Sequence, residues 1–358
     1  MKKLLVIGCI LLGTGLFYSF TNNPGLSETL REIYSKPSGQ WPAPDIDDDI
    51  TGFRELGILP ASPVEPYKDS LKKAIELGKI LFFDPRLSSS NQISCSSCHH
   101  PELSWTDGLI TAIGHDHQQN KRNTPSLLNV WYFNNLFWDG RVCMLEDQAF
   151  GPINSEIEMN MDMSLLPAKL GKVAGYGRLF DSAFGTPEVD VDRVTEALAV
   201  FQRTIVSRKS DFDRFLEGNK QAMSDGAIRG LHLFRTKARC INCHNGPLFT
   251  DNQFHNIGLT YYKRKYEDLG RYTVTRNPDD VGKFKTPSLR DVMRTRPWMH
   301  NGLFDNMEGI INMYNSGMPQ RPLTEEQQQD PLFPKTSSHI KKLNLTKEER
   351  GDLLEFLD

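Results

Sequence analysis

Apolar positions along the chain recur mostly at helical spacing. Val191, Val194, Leu198, Phe201 and Ile205 follow one another at intervals of three and four, which predicts an amphipathic helix over 190–206 linking the two halves. Thr346-Lys347-Glu348-Glu349 is a capping box that opens a short C-terminal helix carrying Leu353, Leu354 and Phe356. Alternating strand patterns are scarce, and 21 Pro and 27 Gly point to short helices joined by long loops. The fold class expected is therefore mainly α. Residues 22–60, with Pro42, Pro44 and the acidic run Asp45, Asp47, Asp48 and Asp49, read as an extended, exposed leader with little fold of its own. Leu4 to Phe20, preceded by Lys2 and Lys3, is the one apolar run longer than 15 residues. It predicts an export signal or N-terminal anchor over 1–21, and the lack of any other such run excludes a polytopic membrane protein.

Composition narrows the function classes. Lys plus Arg is 42 and Asp plus Glu 45, a net charge of -3, which argues against a nucleic-acid-binding surface. With 38% hydrophobic residues and 20 Phe, the 358-residue chain can bury a sizeable core, about two domains' worth.

The cysteines carry the chemistry. Cys95-Ser96-Ser97-Cys98-His99 and Cys240-Ile241-Asn242-Cys243-His244 are two C-x-x-C-H motifs. In such a motif two thiols form thioethers to the haem vinyl groups and the adjacent His is the proximal ligand of the iron. From the Cys and His frequencies of the chain, one chance match is expected about 0.003 times. Two C-x-x-C pairs can also make one zinc site, but zinc needs no His directly after each pair. Covalent haem attachment takes place outside the cytoplasm in bacteria, in keeping with an exported, periplasmic protein. Cys9 belongs to the signal, and Cys143, left without a partner, reads as a buried small apolar residue.

The chain repeats around these motifs. Leu77-Gly78 through Phe82, the first Cys motif and Thr106-Asp107 correspond to Arg229-Gly230 through Phe234, the second motif and Thr250-Asp251. Thr124-Pro125-Ser126-Leu127 corresponds to Thr286-Pro287-Ser288-Leu289. From each Thr it is 15 residues to Asp139 or Asn301, and from the following Gly140 or Gly302 six to Glu146 or Glu308. The second copy holds 17 extra residues, including Tyr261 to Arg276, a polar, basic, Tyr-rich stretch that reads as a surface insertion. The equal spacings predict two copies of one haem domain, over 61–210 and 211–358.

These residues, together with Phe82-Phe83-Asp84-Pro85-Arg86-Leu87-Ser88, Phe137-Trp138-Asp139-Gly140-Arg141, Glu158-Met159, Phe254-His255-Asn256-Ile257-Gly258 and Met299-His300-Asn301-Gly302, resemble the bacterial di-haem cytochrome c peroxidases and their MauG-type relatives over roughly residues 55 to 358. The resemblance implies a fold of two cytochrome-c-like helical haem domains, the first peroxidatic and the second transferring electrons, with calcium at their interface. It implies Glu158 as the distal acid, His115 as a distal ligand that caps the first iron at rest, and Trp138 as the electron bridge between the haems. Tyr314 falls where peroxidases of the well-known type place Met on the second iron and MauG-type proteins place Tyr; Met313 is the neighbour that a one-residue slip brings to that place. Asn123, Thr295 and Pro297 match the calcium positions. The substrate implied is hydrogen peroxide, with a small electron donor, a cytochrome c or a cupredoxin, as partner and a homodimer as an open question. The alternatives are a MauG-type oxidase that modifies a protein side chain and a non-catalytic di-haem electron-transfer cytochrome.

Overall fold

The computed structural model describes residues 24–320 and 322–358. The expected signal at 1–21, with Cys9, lies outside the described residues. The elements that position the site are α1 (Pro24–Tyr34), α2 (Lys72–Phe83), α3 (Val191–Gln202), α4 (Asp225–Arg235), α5 (Met307–Asn315) and α6 (Lys347–Leu357), with a small hairpin of β1 (Phe254–His255) and β2 (Phe284–Lys285). Among the described residues no helix is long and apolar enough to cross a membrane.

Two helix crossings hold two apolar clusters. Asp190 caps α3 by accepting from Arg193 N, and Thr346 and Glu349 form the capping box that opens α6. α2 lies on α3 so closely that a Cβ at Gly78 would stand 1.9 Å from Ala197 O. α4 lies on α6 in the same way, with a Cβ at Gly230 only 2.1 Å from Asp352 O. Only glycine permits either approach. The first crossing gathers Leu77, Leu81, Phe82, Leu198 and Phe201, and the second Leu231, Phe234, Ile310, Ile311 and Leu353. The expected helix over 190–206 ends at Gln202 and folds back onto α2, so it completes the first unit instead of linking the two.

The leader is a correction. Residues 22–60 include α1, and Leu30, Tyr34, Trp41 and Leu56 are buried in the second cluster. The fully buried guanidinium of Arg235 pairs with Glu55 at 2.5 Å and donates to Tyr34 Oη at 3.1 Å. The following strap crosses the second Cys motif: Asp47 N donates to Asn242 Oδ1, Asn242 Nδ2 to Asp45 O, and Gly246 N to Arg54 O, each at 2.8 Å. The prolines and acids of this stretch dominate its composition, while its apolar residues find their partners some 200 positions away.

The repeat is realised in the backbone. Bridges join Leu136 to Val142 and Trp298 to Phe304, and the pairs Asn129/Asp291, Phe137/Met299 and Gly140/Gly302 all hold positive φ, between 55° and 69°. Each pair is 162 residues apart. The two units meet through equivalent positions. Asn123 N donates to His300 O and Lys285 N to Trp138 O, both at 2.8 Å. Since 123 corresponds to 285 and 138 to 300, these are one contact made twice, and the seam has pseudo-two-fold symmetry.

The insertion is only half a surface feature. Lys263, Arg264, Lys265 and Tyr266 are exposed, but its base reaches into the seam. Arg122 donates to both oxygens of Asp268, at 2.7 and 2.9 Å, and to Asp139 at 2.6 Å, while Arg271 donates to Asp139 O at 3.1 Å and lies 3.8 Å over the Phe254 ring. Cys143 is a second correction: it is exposed, because the chain just beyond Gly140 turns outward, and its Sγ lies 3.6 Å from Asn135 Oδ1.

Candidate haem site

Each Cys motif is one tight turn. His99 N donates to Cys95 O at 3.0 Å and His244 N to Cys240 O at 2.9 Å, which sets both thiols and the imidazole of each motif at one place. His99 Nδ1 faces Trp105 O at 3.0 Å, and His244 Nδ1 faces Phe249 O at 2.9 Å. A ring fastened at Nδ1 to a carbonyl donates there and keeps Nε2 as its free lone pair, the tautomer a metal ligand requires. Burial lowers the pKa of both imidazoles and pushes the Cys95, Cys98 and Cys240 thiols up to about 12, so all of these groups are neutral.

Both motifs open on one continuous cavity of about 480 Å³ that crosses the seam. Its wall includes Cys95, Cys98, His99, Cys240, Cys243 and His244, set among apolar side chains. The residues fit two haems better than one zinc ion. Cys95 packs against the first apolar cluster and Cys240 against the second, so the four thiols serve two sites. Two buried polar atoms at the seam, His300 Nε2 and Asn301 Nδ2, have no partner among the described residues, which is costly unless a further group meets them.

On the first side, Glu158 lines the cavity. Its Oε1 accepts a bond from Asn120 Nδ2, and burial raises its pKa against the opposing pull of Asn120, Arg141 and Ser155. The loop behind it is close-packed: His115 N donates to Glu158 O at 2.8 Å, and a Cβ at Gly114 would meet Ile157 O at 2.1 Å. His115 is not itself a lining residue, although Gly114 beside it and Glu158, to which its backbone is hydrogen-bonded, both are. Its Nε2 is turned to the Asp116 carboxylate, 3.5 Å away, where Asp116 and His117 take the left-handed conformation.

On the second side, Tyr314 lines the cavity with Met307, Ile310 and Ile311, four residues on one face of α5; Met313 is not part of that wall. Burial, with the Cys243 and Cys240 thiols beside it, raises the pKa of the Tyr314 phenol. In the repeat, Tyr314 corresponds to Pro152, which lines the first side of the cavity. One copy thus presents an oxygen donor where the other presents a ring with none.

Trp138 lies at the seam. Its Nε1 donates to Asn123 O at 2.9 Å, and its ring meets its repeat counterpart His300 edge to face, with centroids 6.4 Å apart. Burial lowers the His300 pKa to about 4, and its ring stacks on Phe284 at 3.6 Å. Asn123, Thr295 and Pro297 line the same cavity, and Asn123 Nδ2 donates to Leu109 O at 3.0 Å. Asn120, Asp268 and Lys285 were not anticipated from the sequence. Asp268 had one local sign, an acid within a basic, Tyr-rich insertion; Asn120 and Lys285 had none.

A family model described as di-haem cytochrome c peroxidase matches residues 72–221. The chain is 41% identical over 314 residues to the methylamine utilization protein MauG of Methylorubrum extorquens, covering 86% of this chain and 82% of that protein. It is 36% identical over 335 residues to a cytochrome-c peroxidase of Denitromonas iodatirespirans, covering 86% of each. The crystal structure of a MauG-like protein associated with microbial copper homeostasis aligns with a TM-score of 0.71 at 29% identity, over 87% of this chain and 95% of that one.

Proposed function

The chain belongs to the di-haem cytochrome c peroxidase family, and from that premise we propose that it reduces hydrogen peroxide to water at a first haem attached to Cys95, Cys98 and His99. Electrons come from a small periplasmic redox protein through a second haem attached to Cys240, Cys243 and His244. The observation that carries this reading is Glu158: a buried carboxyl with a raised pKa, held by Asn120, in the wall of the cavity that His99 also lines. When bound, haem iron supplies the electrons and the site at which the O–O bond is broken. Glu158 takes a proton from one peroxide oxygen and returns it to the other as that bond breaks, so that two electrons and two further protons yield two waters. Arg141, beside Glu158, favours the ionised carboxylate before the first transfer. Trp138 bridges the two halves. Asn123, Thr295 and Pro297 hold a calcium ion by oxygen atoms, the donor type a hard cation takes. His115 positions Glu158 through its backbone.

A second reading is favoured by Tyr314. A phenolate oxygen on the second iron favours its ferric state and lowers its potential, which suits an enzyme that keeps oxidising equivalents for a protein side chain, as in MauG-type oxidases. Both readings require peroxide to react at the first haem. The test is matured protein mixed with peroxide, with and without a reduced cytochrome c or cupredoxin. Two donor molecules oxidised per peroxide consumed is the expected result. Reaction with peroxide but no donor oxidation favours the second reading, and no reaction in either the di-ferric or the half-reduced protein overturns both.

A further inference from the structure

Six Lys and Arg side chains line the cavity: Arg122, Arg141, Arg239, Lys285, Arg290 and Lys341. Five have a carboxylate of this chain. Arg122 and Arg141 pair with Asp139, Arg239 and Lys341 with Asp47, and Arg290 with Asp213. Lys285 alone has none among the described residues. Its Nζ donates to Asn135 O at 2.9 Å and lies 3.8 Å from the centroid of the Phe133 ring. A carbonyl dipole and a ring face stabilise an ammonium, but neither neutralises it.

The position is set from both sides. Lys285 is the end of β2 in the second unit, its N–H donates to Trp138 O, and its side chain crosses the seam to Phe133 and Asn135 of the first unit. Its counterpart in the repeat is Asn123. Burial, with no acid to oppose it, lowers the Lys285 pKa to about 7. A cation so placed is completed by an anion that arrives with whatever fills the cavity, and haem carries two carboxylates.

Resting on the reading that two haems fill this cavity, we propose that Lys285 is a binding residue for a haem propionate at the seam beside Trp138. The ammonium donates to the carboxylate, which fastens that haem to both units. A positive charge held there favours the reduced haem, because reduction adds an electron close to it.

The experiment uses matured protein with its haems, as wild type, Lys285→Met and Lys285→Arg. Haem mass, both reduction potentials and the propionate-bending bands of the resonance Raman spectrum are measured. In Lys285→Met, one haem is expected to shift its reduction equilibrium about tenfold toward ferric, close to 59 mV for a one-electron couple, with a moved propionate band. In Lys285→Arg the potentials stay near wild type while the band still moves, since the donor has changed. Unaltered potentials and bands in Lys285→Met with both haems present overturn the proposal. If Lys285→Met does not fold, an unmoved band in Lys285→Arg overturns it. A wild type lacking two haems refutes the underlying haem reading, a result distinct from either of these.

Discussion

Replacement of Glu158 by Gln isolates the proton-transfer role from everything else this side chain does. Asn120 Nδ2 donates to Glu158 Oε1, and Gln keeps a carbonyl oxygen able to accept that bond. The backbone contact from His115 N to residue 158 O does not depend on the side chain. What is lost is a group that can take up and return a proton. General acid–base catalysis by one positioned group contributes about 10²- to 10⁴-fold, so the rate of peroxide reaction should fall by that factor, or about 3–5 kcal/mol in the barrier. Stopped-flow mixing of the di-ferric protein with peroxide, followed in the haem spectrum, measures it. The pH profile gives a second readout. Glu158 acts first as a base, and burial raises its pKa, so wild-type reactivity should fall as pH drops through that raised value, and this limb should vanish in Glu158→Gln. Stability moves the other way. A carboxyl whose folded pKa is raised binds its proton more tightly in the folded state, so its contribution to stability declines as pH rises. Glu158→Gln should therefore melt no lower than wild type at neutral pH. A variant that is folded, holds both haems and reacts within threefold of wild type would refute the assignment and place the acid elsewhere.

Tyr314→Met is expected to raise the potential of the second haem and Tyr314→Phe to open its iron to added ligands, with Met313→Leu changing neither; spectroelectrochemistry in which only the Met313 variant shifts would refute tyrosine ligation. Chelation of calcium is expected to impair peroxide turnover and inter-haem electron transfer, because Asn123 belongs to one unit and Thr295 and Pro297 to the other; full activity in protein shown by metal analysis to be calcium-free removes the ion from the mechanism. Gly78→Ala places a methyl group 1.9 Å from Ala197 O, so the α2/α3 crossing must part, at a cost of about 1–3 kcal/mol that thermal denaturation reads as a lowered midpoint.

What the sequence disclosed is what depends on few neighbours. A C-x-x-C-H turn, a Thr-x-x-Glu cap and a helix stripe are set within a handful of residues, and each appears in the fold close to where its pattern predicted it. The equal spacings of the repeat were visible for the same reason. The rest depended on partners far along the chain. Leu30 and Tyr34 stand four apart, a helical interval, but in a stretch whose prolines and acids outweighed it. Arg122 stands two residues before Thr124-Pro125-Ser126-Leu127, yet its pairing with Asp268 across 146 positions left no mark in the sequence. Cys143 was judged by residue type, and its exposure follows from the backbone turn beyond Gly140.

Two copies of one frame would by themselves make two haem sites of one kind, so any division of labour between them has to lie where equivalent positions carry different side chains. Three such pairs lie on the cavity wall. Pro152 against Tyr314 sets a ring without a donor atom opposite a phenol. Trp138 against His300 places an electron-rich indole on one side of the seam and a buried imidazole, neutral at physiological pH, on the other. Asn123 against Lys285 sets a neutral oxygen donor, suited to an external cation, opposite a cation carried by the chain itself. The backbone hydrogen bonds at the last two pairs are the same on both sides, so exchanging their side chains leaves the main-chain contacts of the seam in place. That separation lets function diverge between the units while the packing that joins them is conserved in kind.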